Sequence, residues 1–395
     1  MSPLALLVFF VAGATAFFAG TGCAQSGGAP SSGVRNGGAA ESKAGASRSG
    51  NPIAAESMRA VPVRRFDFES PATDDPTLAA EELSGLAPIR GDEYIAVSDA
   101  HAVVHRINIR IDPKTGAVVA ATIGSAIPLT DETGARLREP ANAKDREAIV
   151  CDPDSDEIWI ADERTGKDPK APSISRHRLT DGVRTALLTC DHDSTLSVFR
   201  RIRSNKGFES LALAPDGTLW AANEDVLAVD GTATGRTAPG IVRLLHLDRA
   251  LRPQAQFAYE VDPWRHPLQT PILLAGQEVS GLSELVALPH GRLLALERSF
   301  SGDARGMPTL ENRLYLVDPS GATNIAPFRS GLTGQSYVPA KKFLLWQQDW
   351  GLTNSNFEGM ALGPTLSDGS RSLILIADND GGTRQSLFTL RLVAP

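Results

Sequence analysis

Beyond about residue 60, apolar residues come in short runs rich in Leu, Ile, Val, Ala and Trp, each ended by Asp, Gly or Pro. Such runs read as strands, and long stretches of helical spacing are scarce. Two runs separated by a turn signal recur as a unit. The clearest copy is GFESLALAPDGTLWAANE at 207–224, and the next is GLSELVALPHGRLLALERS from Gly281. DREAIVCDPDSDEIWIADE starts at Asp145, NFEGMALGPTLSDGSRSLILIADND at Asn356, and a weaker copy, LSGLAPIRGDEYIAVSDAH, at Leu83. The copies lie about 60 to 75 residues apart, the spacing of a radial or stacked repeat. Further strand-like runs, such as GIVRLLHLD and NRLYLVDPSG, fill the intervals. The fold predicted is all-β: a β-propeller of five or six four-stranded blades. A β-sandwich is the alternative, but it leaves the recurring hairpin unexplained.

Four of the copies carry acids near both ends, and the weaker one has Ser84 where the others have Glu. With two-residue loops at Asp216-Gly217 and His290-Gly291, counting outward sets Glu209 opposite Glu224 and Glu284 opposite Glu297. Glu147 then falls near Asp162 and Glu163, Glu358 near Asp378 and Asn379, and Ser84 near Asp99. Side chains directly opposed on one face have Cβ atoms roughly 5 Å apart. Blades stacked around an axis would gather these ends at one mouth of a channel. There, paired carboxylates either share a proton or bind a cation. Oxygen donors without His or Cys suit Ca²⁺, less often Mg²⁺.

The candidate metal ligands are therefore Glu147, Glu163, Glu209, Glu224, Glu284, Glu297, Glu358 and Asp378. The candidate catalytic groups are Glu209, Glu284 and Glu358, with Arg146 to orient an anion. Arg298, Lys341, Lys342 and Arg384 are further cations near the acidic ends, although strand alternation turns Arg146 and Arg298 away from the glutamates beside them. The plainer reading of the acids is that each caps a strand end and points separately into water.

Composition narrows the choice of function. The 395-residue chain has a net charge of −7 and no run of Lys and Arg, which argues against nucleic acid as a partner. G-x-S-x-G, H-E-x-x-H, phosphate-loop and dinucleotide motifs are absent from the sequence. His101 and His105, four apart in SDAHAVVHRINI, sit in a turn-and-strand context that favours structural or surface roles.

The N-terminus carries the uncharged apolar stretch PLALLVFFVAGATAFFAG, of signal-peptide length. Cleavage before Cys23 would leave a lipidated cysteine as the membrane anchor, and cleavage after Ala24 is the competing reading. Residues 1–23 are read as the signal peptide, 24–60 as a Gly/Ser/Ala-rich tether and 61–395 as the folded domain. Export to the periplasm, to the outer membrane as a lipoprotein, or into the medium is expected. Cys151 and Cys190 fall inside the domain, where they could pair or stay free.

These motifs resemble the bacterial family named for the esterase-like activity of phytase, also called phytase-like domain proteins. The resemblance runs from about Phe66 to the C-terminus. It is sharpest in NFEGMALGPTLSDGSRSLILIADND and QSLFTLRL, with LSGLAPIRGDEYIAVSDAH, DREAIVCDPDSDEIWIADE and YVPAKKFLLW in the same order. It implies a β-propeller, usually exported, linked to hydrolysis of phosphate or carboxylic esters, with Glu147, Glu209, Glu284 and Glu358 as the shared motif acids. It supplies no nucleophile, and the lack of a dense basic cluster speaks against a highly phosphorylated substrate. The expected function is thus a Ca²⁺-dependent hydrolase of small-molecule phosphoesters or esters. The alternative is a non-catalytic, Ca²⁺-stabilised propeller that binds a ligand or partner at the cell surface.

Overall fold

Consecutive apolar residues along a strand can all be buried only if both faces of its sheet are covered. Stacking four-stranded sheets around an axis achieves this, and the computed structural model has that arrangement. It describes residues 58–394 apart from 138–143, 153, 166–171, 191–194, 204, 236–237, 264–278, 303–307, 349–355 and 380. The residues read as signal peptide, and the tether as far as residue 57, lie outside the described residues.

Five antiparallel sheets of four strands each follow one another along the chain, giving five blades rather than six. The first holds β2 (Leu83–Arg90), β3 (Glu93–Ser98), β4 (Val103–Ile111) and β5 (Val118–Pro128). The second holds β6 (Lys144–Asp152), β7 (Glu157–Thr165), β8 (Ser173–Arg178) and β9 (Arg184–Thr189). The third is β10 (Phe208–Leu213), β11 (Leu219–Asn223), β12 (Gly240–Leu247) and β13 (Pro253–Val261). The fourth is β14 (Val279–Ala287), β15 (Leu293–Gly302), β16 (Pro308–Asp318) and β17 (Lys341–Gln347). The fifth joins β18 (Asn356–Thr365), β19 (Arg371–Asp378) and β20 (Arg384–Val393) to β1 (Arg59–Glu69) from the opposite end of the domain. β1 pairs with β20 from Arg59↔Val393 to Glu69↔Arg384, so the two chain ends close the ring and cover what would be an exposed edge.

The first strands of the blades, β2, β6, β10, β14 and β18, neighbour one another in a closed inner circle. Successive residues then serve different cores. On β3, Tyr94 and Ala96 pack against the fifth blade, whereas Ile95 and Val97 pack against the second. On β15, Leu293 and Ala295 face the third blade and Leu294 and Leu296 the fifth. The remaining interface, between blades two and three, centres on Trp159, Phe199, Phe208 and Leu245.

Inner strands approach so closely that several glycine positions exclude a side chain, Gly207 and Gly359 most sharply. A Cβ on Gly207 would stand 2.1 Å from the Glu163 carbonyl oxygen, and one on Gly359 would stand 2.1 Å from that of Ser84. Cys151 and Cys190 form no disulfide with each other, and the Cys190 Sγ donates to the Pro172 carbonyl at 3.2 Å.

The hairpin register differs from the expected one. Leu213 pairs with Leu219 and Ala287 with Leu293, so the loops are the three-residue segments 215–217 and 289–291. In each, the residue before the proline closes the loop: Ala214 donates to Thr218 at 2.8 Å, and Leu288 to Arg292 at 2.8 Å. The reason is chemical. A two-residue loop would make Pro215 or Pro289 the closing residue, and proline has no N–H for that bond. Gly217 and Gly291 supply the positive φ, 83° and 70°, that the longer loop needs.

Phe357 is fully buried between the fourth and fifth blades, with its ring 5.7 Å from that of Phe388. Phe357→Ala should cost about 3–5 kcal/mol, the usual penalty for emptying an aromatic site in a core. Chemical denaturation followed by tryptophan fluorescence would read this as a lower midpoint with unchanged slope.

Candidate functional site

Four-stranded blades bring equivalent residues of the inner strands together, but which residues are equivalent depends on a β-bulge near the start of each strand. In β10 the pairing skips Glu209, between Phe208↔Asn223 and Ser210↔Ala222. In β6 it skips Glu147, in β18 Glu358 and in β14 Ser283. The irregular stretch of β2 contains Ser84. A bulged residue has no cross-strand partner and turns with the local kink of the strand. The inner positions are therefore Ser84, Glu147, Glu209, Ser283 and Glu358.

Glu284 occupies the next position along, equivalent to Ser210. Its Oε1 accepts from the backbone N–H of Leu285 at 2.8 Å and of Leu211 at 3.2 Å. Burial pushes its pKa well up, opposed only by those two N–H groups. It stands apart from the other motif acids. The signal was present in the sequence: Glu209 lies six residues before Pro215, but Glu284 lies five before Pro289.

The adjacent strand of each blade adds a second position. Asp99 N–H donates to Glu82 O at 2.9 Å and Glu224 N–H to Gly207 O at 2.9 Å. Arg298 pairs with Gly281, Asp378 pairs with Asn356, and Glu163 falls in the irregularity between Asp162 and Arg164. The second set is thus Asp99, Glu163, Glu224, Arg298 and Asp378.

Glu147, Glu163 and Glu209 are the tightest group, each offering a carboxylate oxygen within 4.8 Å of the others. All three are buried, and Glu163 is completely so. The Gly207 N–H donates to Glu163 Oε1 at 3.0 Å, but Glu163 Oε2 has no hydrogen-bond partner. The Ser84 hydroxyl lies 3.1 Å from both Glu147 Oε2 and Glu358 Oε2 and has one proton to share between them.

Lys206 and Arg298 reach the same carboxylates. The Lys206 Nζ donates to Glu224 Oε2. The Arg298 guanidinium donates to Glu358 Oε1, to Asn356 Oδ1 at 2.7 Å and to Glu224 Oε1 at 3.1 Å, and it lies 3.5 Å from Glu209 Oε1. Lys206 was not among the expected residues, and Arg298 was expected near the acidic ends but turned away from them. Lys206 directly precedes the first glycine of its hairpin copy, and Arg298 holds the place that acids hold in the other blades.

Electrostatics divides the cluster in two. Burial, then repulsion from Glu209, Asp99 and Glu358, pushes Glu147 well above the ordinary carboxylate range. Burial, then Glu224 and Glu163, does the same to Glu209 despite Arg298. Glu163 is pushed up to about 8 by burial and Glu224, with Lys206 opposing, and Asp99 to about 8 by burial, Asp145 and Glu358. Burial would raise Glu224 too, but Lys206 and Arg298 outweigh it and hold its carboxyl below the usual range.

The remaining expected residues stand outside the group of three glutamates. Glu297 faces the third blade, where its carboxylate accepts from Lys342 Nζ at 2.6 Å, Tyr259 Oη at 2.7 Å and Asp262 N at 3.0 Å. Arg146 is buried, with its Nε 3.7 Å from Asp162 Oδ1, at the strand position that Phe208 and Phe357 hold in their blades. Asp378 is half-buried and accepts from Asn356 Nδ2 at 3.4 Å. Arg384 pairs with Asp67 at 3.1 Å, Lys341 is exposed, and the His105 ring bonds the Ala79 carbonyl at 3.1 Å. Next to Asp99 in the chain, Ala100, His101 and Ala102 line a cleft of about 460 Å³ together with Thr77 and Arg136.

The model of the phytase-like family, described as esterase-like activity of phytase, matches residues 79–381. No curated protein matches the chain. Among solved structures, a thermostable family-43 glycoside hydrolase superposes with a TM-score of 0.43 at 8% identity, over 81% of this chain and 96% of that one. An α-L-arabinanase from Penicillium chrysogenum gives 0.41 at 13% identity, over 85% and 98%. The soluble aldose sugar dehydrogenase from Escherichia coli gives 0.38 at 11%, over 86% and 100%. Likeness at this level leaves the chemistry to be read from the residues themselves.

A carboxyl whose pKa is higher folded than unfolded holds its proton more tightly in the native state. The stability it lends is complete below its ordinary value and is lost as pH rises through the folded value. For Asp99 and Glu163 that window runs from about 4 to about 8. Protein stripped of cations with EDTA should therefore melt at steadily lower temperature across that window. Differential scanning calorimetry at several pH values tests this, and a flat melting temperature would contradict it.

Proposed function

Because the chain belongs to the phytase-like family described as esterase-like activity of phytase, we propose that it is a cation-dependent hydrolase of phosphoesters or carboxylic esters. Ca²⁺ is the ion that fits best, with Glu147, Glu163 and Glu209 to hold it. The observation that carries this reading is the bare Glu163 Oε2, fully buried among carboxylate oxygens of two neighbouring blades. A buried oxygen without a donor is costly, and an all-carboxylate donor set suits a hard divalent ion. Such an ion supplies Lewis acidity toward an ester oxygen and lowers the pKa of water.

The chain's own groups complete the reading. Glu147 and Glu209 hold protons more tightly than ordinary carboxyls, the direction of shift that suits a general acid or base. Ser84 ties Glu147 to Glu358 and so fixes the first blade to the second and fifth. Arg298 and Lys206 are committed to carboxylates, and at the cleft Arg136 pairs with Asp75 and His101 faces Glu81, so an anionic substrate would have to displace an existing ion pair. The N-terminal signal adds export, with Cys23 as a lipid anchor or with release after cleavage.

One observation favours a second reading. Complete burial of Glu163 suits an ion that links blades in a non-catalytic propeller binding a ligand or partner at the cell surface.

Calcium titration separates the two. Under the hydrolase reading Ca²⁺ raises the melting temperature and switches on turnover of p-nitrophenyl phosphate or p-nitrophenyl acetate. Glu163→Gln should weaken Ca²⁺ affinity at least about tenfold and lower turnover in step, since the negative charge of a ligand is lost. A thermal shift without turnover across a broad ester panel would support the linking ion instead. Absence of both the thermal shift and the turnover would sink both readings.

A further inference from the structure

Blade symmetry makes Arg298 anomalous. The four residues equivalent to it, Asp99, Glu163, Glu224 and Asp378, are all acids. From the fourth blade its guanidinium spans to the third and fifth, contacting Glu224 and Glu358 directly and lying 3.5 Å from Glu209. Its side chain is only 13% exposed. The backbone opposite is shaped for this contact: a Cβ on Gly281 would stand 2.6 Å from Glu224 Cγ and 2.8 Å from its Oε1. Glu224 crosses that gap, and its other oxygen accepts from Lys206.

The ring therefore has two unlike halves. Around Arg298, the oxygens of Glu224 and Glu358 already meet side-chain donors: Lys206 and Arg298 on the first, Asn356, Ser84 and Arg298 on the second. Around Glu147, Glu163 and Glu209, one fully buried oxygen meets none. A planar guanidinium that stays charged at all relevant pH is suited to hold carboxylates apart permanently, where a metal ion would exchange.

We propose that Arg298 is a built-in counter-ion that takes the place of a second metal, so that the ring holds a single exchangeable divalent cation, at Glu147, Glu163 and Glu209. This rests on the cation reading above and adds stoichiometry to it. Removing the guanidinium leaves Glu224 and Glu358 without their shared partner and opens a second oxygen-lined site.

The test titrates Ca²⁺ into the EDTA-stripped domain-containing full chain by calorimetry, with Tb³⁺ luminescence as a second probe. Wild type is expected to take one ion per chain, Arg298→Gln two, and Arg298→Lys one, because the lysine restores a fixed charge. One ion in Arg298→Gln with unchanged affinity would overturn the proposal, as would two in wild type. No ion in wild type would instead remove the cation reading beneath it. If Arg298→Gln does not fold without metal, Glu358→Gln serves in its place. With Glu358 committed to Arg298, that variant should keep one ion within about threefold of wild-type affinity, whereas Glu163→Gln loses at least about tenfold. An equal loss in both would refute the division of the ring.

Discussion

Like charges confined in a buried space govern this structure. Two unit charges 4 Å apart repel by about 4 kcal/mol at an effective dielectric of 20, and the inner ring gathers carboxyl groups from several blades at comparable spacing. Such a cluster persists only with protons, cations or donors to answer it. All three forms of compensation have a place here. Arg298 and Lys206 supply fixed positive charge, Ser84 and the Gly207 N–H supply donors, and burial with mutual repulsion favours the protonated forms of Glu147, Glu163 and Glu209.

The propeller is what makes the confinement sustainable. Each blade is glued to its neighbours by apolar clusters on both faces, and β1 with β20 closes the circle. Hydrophobic burial at about 25 cal/mol per Å² across five interfaces can carry the strain of a charged centre. The inner strands pack so tightly that Gly207 and Gly359 tolerate no Cβ, and this closeness forces the acids within reach of one another. Removing the apolar interfaces would therefore disperse the charges as well as unfold the sheets.

Protons and any bound cation would compete for the same oxygens. A cation arriving at Glu147, Glu163 and Glu209 must displace protons that burial has made tight, so affinity would be coupled to pH. The half of the ring around Arg298 already has its charges matched, and Arg298, 3.5 Å from Glu209 Oε1, joins it to the half that would exchange. A site asymmetric in this way keeps some carboxylates fixed as structure while others remain free to exchange what they bind.

How much of this could be read from the chain divides along a physical line. Local chemistry was legible: apolar runs, turn residues and their spacing are properties of a strand and its neighbours in sequence, and they specified hairpins, repeats and a blade architecture. The motif acids Glu147, Glu209 and Glu358 stood out for the same reason. What failed was the register. Pro215 and Pro289 lack the N–H that a two-residue loop requires, and a bulge adds one more step, so the residue equivalent to Glu209 is Ser283 and not Glu284. The meeting of Glu163 with Glu147 and Glu209, and the reach of Arg298 across three blades, depend on backbones far apart in sequence packing side by side. The sequence by itself determined the blades and supplied the acids. Tertiary structure alone decided which acids meet, because a one-residue shift turns a side chain to the other face and only the closed ring fixes who stands across from it.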